Sequence, residues 1–330
     1  MVIFSRKIFP GDCIYKAMGT LKVLDLFCGM GGLSSGFAKT GFSVTGVDLS
    51  EDVGGIYKKL PNSKFIQADL SKETIDGDYD YVIGGPPCKP WSSVNMTRRG
   101  ADHRDYELVR KFADNVLKIE PLGFVMENVP PLRNDPEFLK QIKRLKKAGY
   151  QVTVNVFRYS DFGAATSRRR LFAVGFLGRD PKNFVQTLES LRENFSTVFD
   201  AIGKYRGLEM GHYPDHQWPN LRTIHRYLKY YESGKYGWTR LEWDKPARSF
   251  GNVMKTYTLH PDSDPRSENP RVVSPLEVSR IMGFNHGFKF PRAVTMGRKY
   301  QMLADSVSPV FSEKIARAIL QNSWNLEHLE

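Results

Sequence analysis

Leu21-Lys22-Val23-Leu24-Asp25-Leu26-Phe27-Cys28-Gly29-Met30-Gly31-Gly32 is the stretch that decides the fold class. An apolar run over 21–27 breaks into a glycine turn, and an amphipathic segment continues from it to about residue 39, so the pattern predicts a buried strand, a tight turn and a helix. Glycine permits the turn and lets a ligand approach the backbone closely. Working outward, a second strand over 43–47 ends in Asp48, a third over 64–67 leads to Asp69, and a fourth over 81–83 opens into Gly84-Gly85-Pro86-Pro87-Cys88-Lys89-Pro90-Trp91-Ser92. A helix over 106–119 precedes a strand over 123–126 that delivers Glu127-Asn128-Val129-Pro130; a helix over 136–148 and strands over 151–157 and 171–176 follow. Strands alternating with helices, with polar residues gathered at the strand ends, predict an α/β architecture. The expected form is a doubly wound, mostly parallel sheet with its ligand above the carboxyl ends of the strands.

From Gly178 the alternation stops, and the chain to about residue 240 is rich in aromatic and basic residues, as in His212-Tyr213-Pro214-Asp215-His216-Gln217-Trp218 and Arg226-Tyr227-Leu228-Lys229-Tyr230-Tyr231. This predicts a second, smaller, irregular domain over 179–302, with 1–178 and 303–330 forming the first. Val310, Phe311, Ile315, Ala318 and Ile319 recur at helical spacing, as in a tail helix that packs back on the first domain. Residues 1–17 carry no pattern and read as an extension, with Met18 as an alternative start.

Composition narrows the function classes. The chain has 330 residues, 41% hydrophobic and 25% charged, which suits an ordinary globular protein with a sizeable core. No apolar run reaches membrane-span length and no signal peptide is recognisable, so the expected location is the cytoplasm. Three cysteines, Cys13, Cys28 and Cys88, can form neither a disulfide framework nor a paired metal site and are expected to be reduced thiols. A net charge of +12 favours a polyanionic partner without separating DNA, RNA and acidic protein surfaces.

Two glycines and three prolines fix the backbone around Cys88, as the mounting of a nucleophile requires, although a lone cysteine in a proline turn is more commonly a small buried residue. Asp48 and Asp69 at successive strand tips are placed to meet the ribose hydroxyls and the adenine amino group of a nucleotide-like cofactor, although each alone is more commonly a turn residue or cap. The spacing G-x-G-x-x-G fails because Ser34 stands at the third position, which disfavours a dinucleotide and a hydride-transferring dehydrogenase. The polar, basic stretch over 92–107 reads as a mobile lid beside the thiol.

With Cys88 and Glu127 included, the chain resembles the cytosine-C5 DNA methyltransferases. The match runs in order through 25–37, Asp48, Asp69, Pro87-Cys88, Glu127-Asn128-Val129 and Arg168 with Arg170, and resumes at 240–250 and 271–309. The resemblance implies the Rossmann-like fold of the S-adenosylmethionine-dependent methyltransferases, with Phe27, Gly29, Gly31, Gly32, Asp48, Leu49, Asp69, Leu70, Pro87 and Ser306 around that cofactor and S-adenosylhomocysteine as product. It implies a reaction in which the Cys88 thiolate adds to carbon 6 of a flipped-out cytosine while Glu127 favours protonation at N3. Carbon 5 then takes the methyl group, and loss of its proton expels Cys88. Arg170 is expected at the cytosine carbonyl, with Arg168 supporting the site. Ser92, Arg98, Arg104 and Arg240 are expected on DNA, and 179–239 are expected to read base edges.

Lys89 replaces the usual Gln after the nucleophile and, by its charge, is expected to lower the Cys88 pKa. Leu49 replaces a covering aromatic, Thr166 a Gln, and Ala304-Asp305 a Gly-Asn pair. The resemblance points to a prokaryotic, monomeric enzyme acting on duplex DNA, nucleoid-associated when bound, and belonging to a restriction-modification system with a separate companion endonuclease or standing alone. An RNA (tRNA) cytosine-C5 methyltransferase and a catalytically silent DNA-binding protein are the alternatives.

Overall fold

A computed structural model describes residues 20–89, 91, 103–221, 224–233, 238–285 and 287–324. The expected extension at 1–17, Cys13, and the lid residues Ser92 and Arg98 lie outside them. The chain runs β1 (Lys22–Leu26), α1 (Gly32–Lys39), β2 (Ser43–Asp48), α2 (Glu51–Tyr57), β3 (Ser63–Gln67), β4 (Tyr81–Gly84), α3 (Leu108–Ile119), β5 (Gly123–Asn128), α4 (Pro136–Lys147), β6 (Tyr150–Arg158), β7 (Arg169–Leu177) and α5 (Lys182–Ser190). It continues through α6 (Val198–Ile202), α7 (Leu228–Ser233), α8 (Val253–Thr256), α9 (Pro275–Ile281), α10 (Met296–Asp305) and α11 (Pro309–Trp324).

The seven strands form one sheet in the order β3-β2-β1-β4-β5-β7-β6, with β1 to β5 parallel and β7 antiparallel to both its neighbours. β1 and β4 are almost wholly buried because helices cover both faces, which is why their sequences read as unbroken apolar runs. One face packs on α1, α5 and α11 through Phe37, Phe184, Phe311 and Ile315. The other packs on α3 and α4 through Phe112, Val116, Phe138 and Leu145. Asp135 starts α4 as its cap, accepting bonds from the amides of Glu137 and Phe138, and Pro136 occupies the first turn, where a missing N–H costs nothing.

Strands β5, β6 and β7 extend one or two residues past the expected bounds at an end because cross-strand hydrogen bonds run on to Asn128, Arg158 and Arg169 beyond the apolar core of each run. The tail helix α11 lies where its periodicity predicts, and the Phe311 ring sits 4.8–5.5 Å from those of Phe157, Tyr159, Phe162 and Phe172. The boundary is expected near 178. α5 follows it, yet Phe184 and Leu188 are buried in the same core as α11, so the chain leaves this layer only after about residue 191. A second core gathers Val198, Ile202, Leu241, Phe250, Leu259, Val278, Tyr300 and Leu303 with Met30, Val53 and Ile56. Among the described residues this part has no named strand; the isolated bridges Arg240–Leu259 and Leu259–Val272 lie within it, and Thr166–Ala247 joins it to the segment before β7.

α1 and α11 touch through glycine. A Cβ on Gly36 would stand 2.1 Å from the Glu313 amide nitrogen, and one on Gly32 would stand 2.0 Å from Ser306 Oγ. Backbone cannot give way as a flexible side chain can, so Gly36→Ala is expected to destabilise the protein by about 3 kcal/mol. The urea midpoint should fall correspondingly with an unchanged slope. An unaltered midpoint would show that the helices part without cost. Among the described residues, no helix is long and apolar enough to cross a membrane.

Candidate active site

Five parallel strands end on one edge of the sheet, and the segment after each lines a single cavity of about 570 Å³. These are 27–30 after β1, 48–50 after β2, 68–71 after β3, 85–89 after β4, and Glu127 at the end of β5. The reversed strand β7 contributes as well. Because it runs opposite to β5, its first residues lie beside the last residues of β5, with Leu171 opposite Asn128. Arg168 and Arg170 thereby reach the same edge. The closing wall is α10 and the turn after it, with Arg298, Met302, Asp305 and Ser306.

Cys88, Glu127, Arg168 and Arg170 all line this cavity. Arg170 Nε lies 3.0 Å from Glu127 Oε1, and both side chains are nearly enclosed. Burial pushes the Glu127 carboxyl up, and Arg170 and then Arg168 act against the rise. A carboxyl held up in this way keeps a proton more readily than a free glutamate does. Burial also pushes the Cys88 thiol up; Arg170 is the leading cation opposing it, while Glu127 and Asp305 add to the rise. The net direction for the thiol is upward, with burial its largest cause, and Lys89 beside it is exposed. Arg168 sits differently from Arg170. It is 3% exposed, its Nη2 donates to the Ala304 carbonyl at 2.5 Å, and its Nη1 reaches the Phe250 carbonyl at 3.5 Å. It ties the start of β7 to the last turn of α10 and to the second core, and burial lowers it to about 10.

The glycine turn has the form a nucleoside needs. Gly29, at φ +50°, has no atom within 4 Å of where a Cβ would stand, so the cavity floor beside it is open. Gly31, at φ +84°, leaves room for Leu60 and Tyr57, which a Cβ would strike at 2.7 and 3.0 Å. Phe27 is itself left-handed at φ +58°, an uncommon state for a bulky residue, and lines the cavity. Asp48 lies at the cavity edge but already accepts the Gly29 amide at 3.0 Å and the Ser50 amide at 2.9 Å. It therefore shapes the turn as well as facing the space above it. Asp69 holds its own turn, accepting bonds from the Ser71 amide and hydroxyl and pairing with Lys72 at 3.1 Å, and these partners lower it to about 2. Leu49 is 63% exposed at the mouth, whereas Leu70, Pro87 and Ser306 are at least partly enclosed. Open floor, paired acids at the strand ends and a volume fit for a drug-sized molecule suit S-adenosylmethionine.

Of the residues expected on DNA, Arg104 lines the cavity with its side chain 85% exposed and 3.4 Å from Asp105, and Arg240 is exposed at the Leu259 bridge. Three features escaped the sequence reading. Asn128 Nδ2 donates to the Pro86 carbonyl at 3.0 Å, so the residue next to Glu127 holds the turn that carries Cys88. Asp25 accepts the Ser34 hydroxyl at 2.6 Å, Ser34 lies 2.5 Å from the Tyr57 hydroxyl, and burial pushes Asp25 up to about 7. Trp91 Nε1 and the Tyr106 hydroxyl both donate to Asp135, at 2.7 and 3.1 Å, so one carboxylate holds two aromatic residues that flank the 92–102 segment. Asn128 and Asp25 stand inside quoted motifs, and their partners are the missing information. Asp135 had a visible sign only as a helix cap before Pro136.

A family model described as C-5 cytosine-specific DNA methylase matches residues 21–321. Among curated proteins, the type II methyltransferase M1.HphI of Haemophilus parahaemolyticus is 29% identical over 360 aligned positions, covering 98% of this chain and 93% of that protein. The type II methyltransferase M.MthTI of Methanothermobacter thermautotrophicus is 27% identical, covering 91% and 97%. Among solved structures, the Entamoeba histolytica methyltransferase EhMeth shares the fold at a TM-score of 0.69 and 18% identity, over 93% of this chain and 99% of that one. The matched span takes in every element from β1 to most of α11, including both walls of the cavity and all seven strands, and this chain belongs to the C-5 cytosine-specific DNA methylases.

Proposed function

We propose that the chain methylates carbon 5 of cytosine in a short duplex site, with Cys88 as nucleophile, Glu127 as the proton-holding partner of the base and Arg170 as the residue that orients Glu127 and meets the cytosine carbonyl. The supporting observation is the convergence of these three on one cavity with Glu127 and Arg170 3.0 Å apart. S-adenosylmethionine supplies, when bound, an electrophilic methyl group; Gly29, Asp48, Asp69, Leu70 and Ser306 are the residues placed to hold it. Cys88 gives up its proton to solvent and its sulfur bonds to carbon 6. The ring electrons move toward carbon 5, and Glu127 places a proton at N3 so that the ring carries no net negative charge. After transfer, a solvent base takes the carbon 5 proton, the sulfur leaves as thiolate and the N3 proton returns to Glu127.

A cytosine paired in a duplex has its faces covered, so the base enters this cavity flipped out of the stack. Arg104 at the cavity and Arg240 in the second part are assigned to phosphates, together with Ser92 and Arg98. Of residues 179–239, expected to read base edges, those after about 191, beyond α5, are assigned to reading the site. The type II names of the relatives favour a restriction-modification setting with a separate endonuclease, and a single chain carries every residue the reading requires.

Incubation with tritiated S-adenosylmethionine and mixed duplex DNA or tRNA tests the reading. Label recovered as 5-methylcytosine in duplex DNA is expected. Label confined to tRNA overturns the substrate, and label in neither favours a silent DNA-binding protein.

A further inference from the structure

The cavity wall made by α2 and α10 carries an ion pair that the reaction does not use. Arg298 donates through Nε to Asp52 Oδ2 at 2.7 Å and through Nη2 to Asp52 Oδ1 at 2.9 Å, joining residues 246 apart in the chain. This side-on fork is the most directional form of a charge-assisted pair. Arg298, Met302 and Asp305 are spaced three and four residues apart, so they form one stripe on α10, and all three line the cavity. The loop facing that stripe holds Asp48, Leu49 and Ser50. One end of the loop is held by the Gly29 amide on Asp48. The other end begins α2, which Asp52 fastens to Arg298. Behind the pair, Met30, Val53 and Ile56 share the core of Tyr300 and Met302, so α2 and α10 are already in apolar register.

The pair itself is about one-third exposed on each side, at 35% and 39%, and pairs of that exposure add little to folding stability. Its position is more informative than its strength, because it bridges the two walls of a cavity that must admit and release a nucleoside. Both Asp48 oxygens already accept backbone amides, whereas Arg298 Nη1 has no hydrogen-bond partner among the described residues. A nucleoside offers ribose oxygens, and an amino-acid tail offers a carboxylate; both accept bonds from a guanidinium.

We propose that Arg298 and Asp52 form a clasp on the cofactor cavity: the pair holds the Asp48–Ser50 loop against α10, presents Arg298 Nη1 to acceptor oxygens of the methyl donor, and sets how long donor or product stays bound. The proposal rests on the methyl-donor reading above. Arg298 is a binding and positioning residue in this account, and the reacting groups remain Cys88 and Glu127.

Release of tritiated S-adenosylhomocysteine from the full chain, without DNA, is the test. Asp52→Asn removes the charge at constant shape, Arg298→Lys keeps the charge but loses the fork, and Asp52→Glu keeps a carboxylate. The first two are expected to weaken binding and speed release by about fivefold at an unchanged melting temperature, with Asp52→Glu within about twofold of the parent. In turnover, KM for the donor should rise while kcat at saturating donor does not fall. Parent-like release from folded Asp52→Asn and Arg298→Lys overturns the clasp alone. A parent chain that binds no S-adenosylhomocysteine overturns the methyl-donor reading and the clasp with it.

Discussion

Replacing Cys88 with alanine is expected to lower methyl transfer by roughly 10⁴-fold or more while leaving S-adenosylhomocysteine and duplex binding within about twofold of the parent. The asymmetry comes from where the thiol sits. The turn that carries it is fixed independently, by the strand β4 beneath it and by the bond from Asn128 to the Pro86 carbonyl, so loss of one sulfur leaves the cavity standing. Oxygen cannot substitute: a serine hydroxyl in the same place ionises far less readily than a thiol and is a poorer leaving group from carbon 6. A duplex carrying 5-fluorocytosine in the recognised site should therefore trap the parent covalently, since fluorine cannot depart as a proton does, and should fail to trap Cys88→Ala. An adduct formed by Cys88→Ala would remove Cys88 from the mechanism.

Glu127→Gln should separate two properties that normally move together. Methyl transfer is expected to fall by about 10²- to 10⁴-fold, because an amide can face N3 but cannot give it a proton. The Cys88 thiol should at the same time ionise more readily. In the parent, the Glu127 carboxylate is one of the groups that hold the thiol up, and Arg170, which opposes that rise, is shared with Glu127. Removing the carboxylate removes the repulsion and leaves Arg170 acting on the sulfur alone. The sign follows: the pH midpoint for alkylation of Cys88 by iodoacetamide moves down in Glu127→Gln, toward the ordinary thiol value, while catalysis worsens. Cys88→Ala in parallel corrects for the other cysteines. An upward movement of the midpoint would show that Glu127 acts on the sulfur through packing rather than charge.

Both predictions rest on residues that the sequence displays without the structure. Cys88, Glu127 and Arg170 lie between 39 and 82 positions apart, yet each follows or precedes a recognisable strand, and parallel strands must end on a common edge. That geometric rule made the cavity legible. The reversal of β7 was not legible, because an apolar run reads the same in either direction; yet this reversal brings Arg170 to Glu127. α5 was missed for a related reason. Its polar face dominates Lys182–Ser190, and only Phe184 and Leu188 mark the side that meets α11. The Asp25–Ser34–Tyr57 chain, the Asn128 bond and the Arg298–Asp52 pair were invisible because each depends on where two distant elements meet. Lys89 shows the opposite failure. Its adjacency to Cys88 in sequence pointed to charge, whereas burial is the largest cause acting on the sulfur.

The last wall of the cavity comes from α10 and the turn before α11, at residues 296–307, and α11 seats itself on α1 through the glycine contacts. The strands, the nucleophile turn and the Glu127 strand have all left the ribosome before that wall exists. A nascent chain that stops short of residue 296 therefore carries the Cys88 thiol in an open half-cavity that cannot enclose a ligand. The cavity is closed only once residues 296–307 are in place.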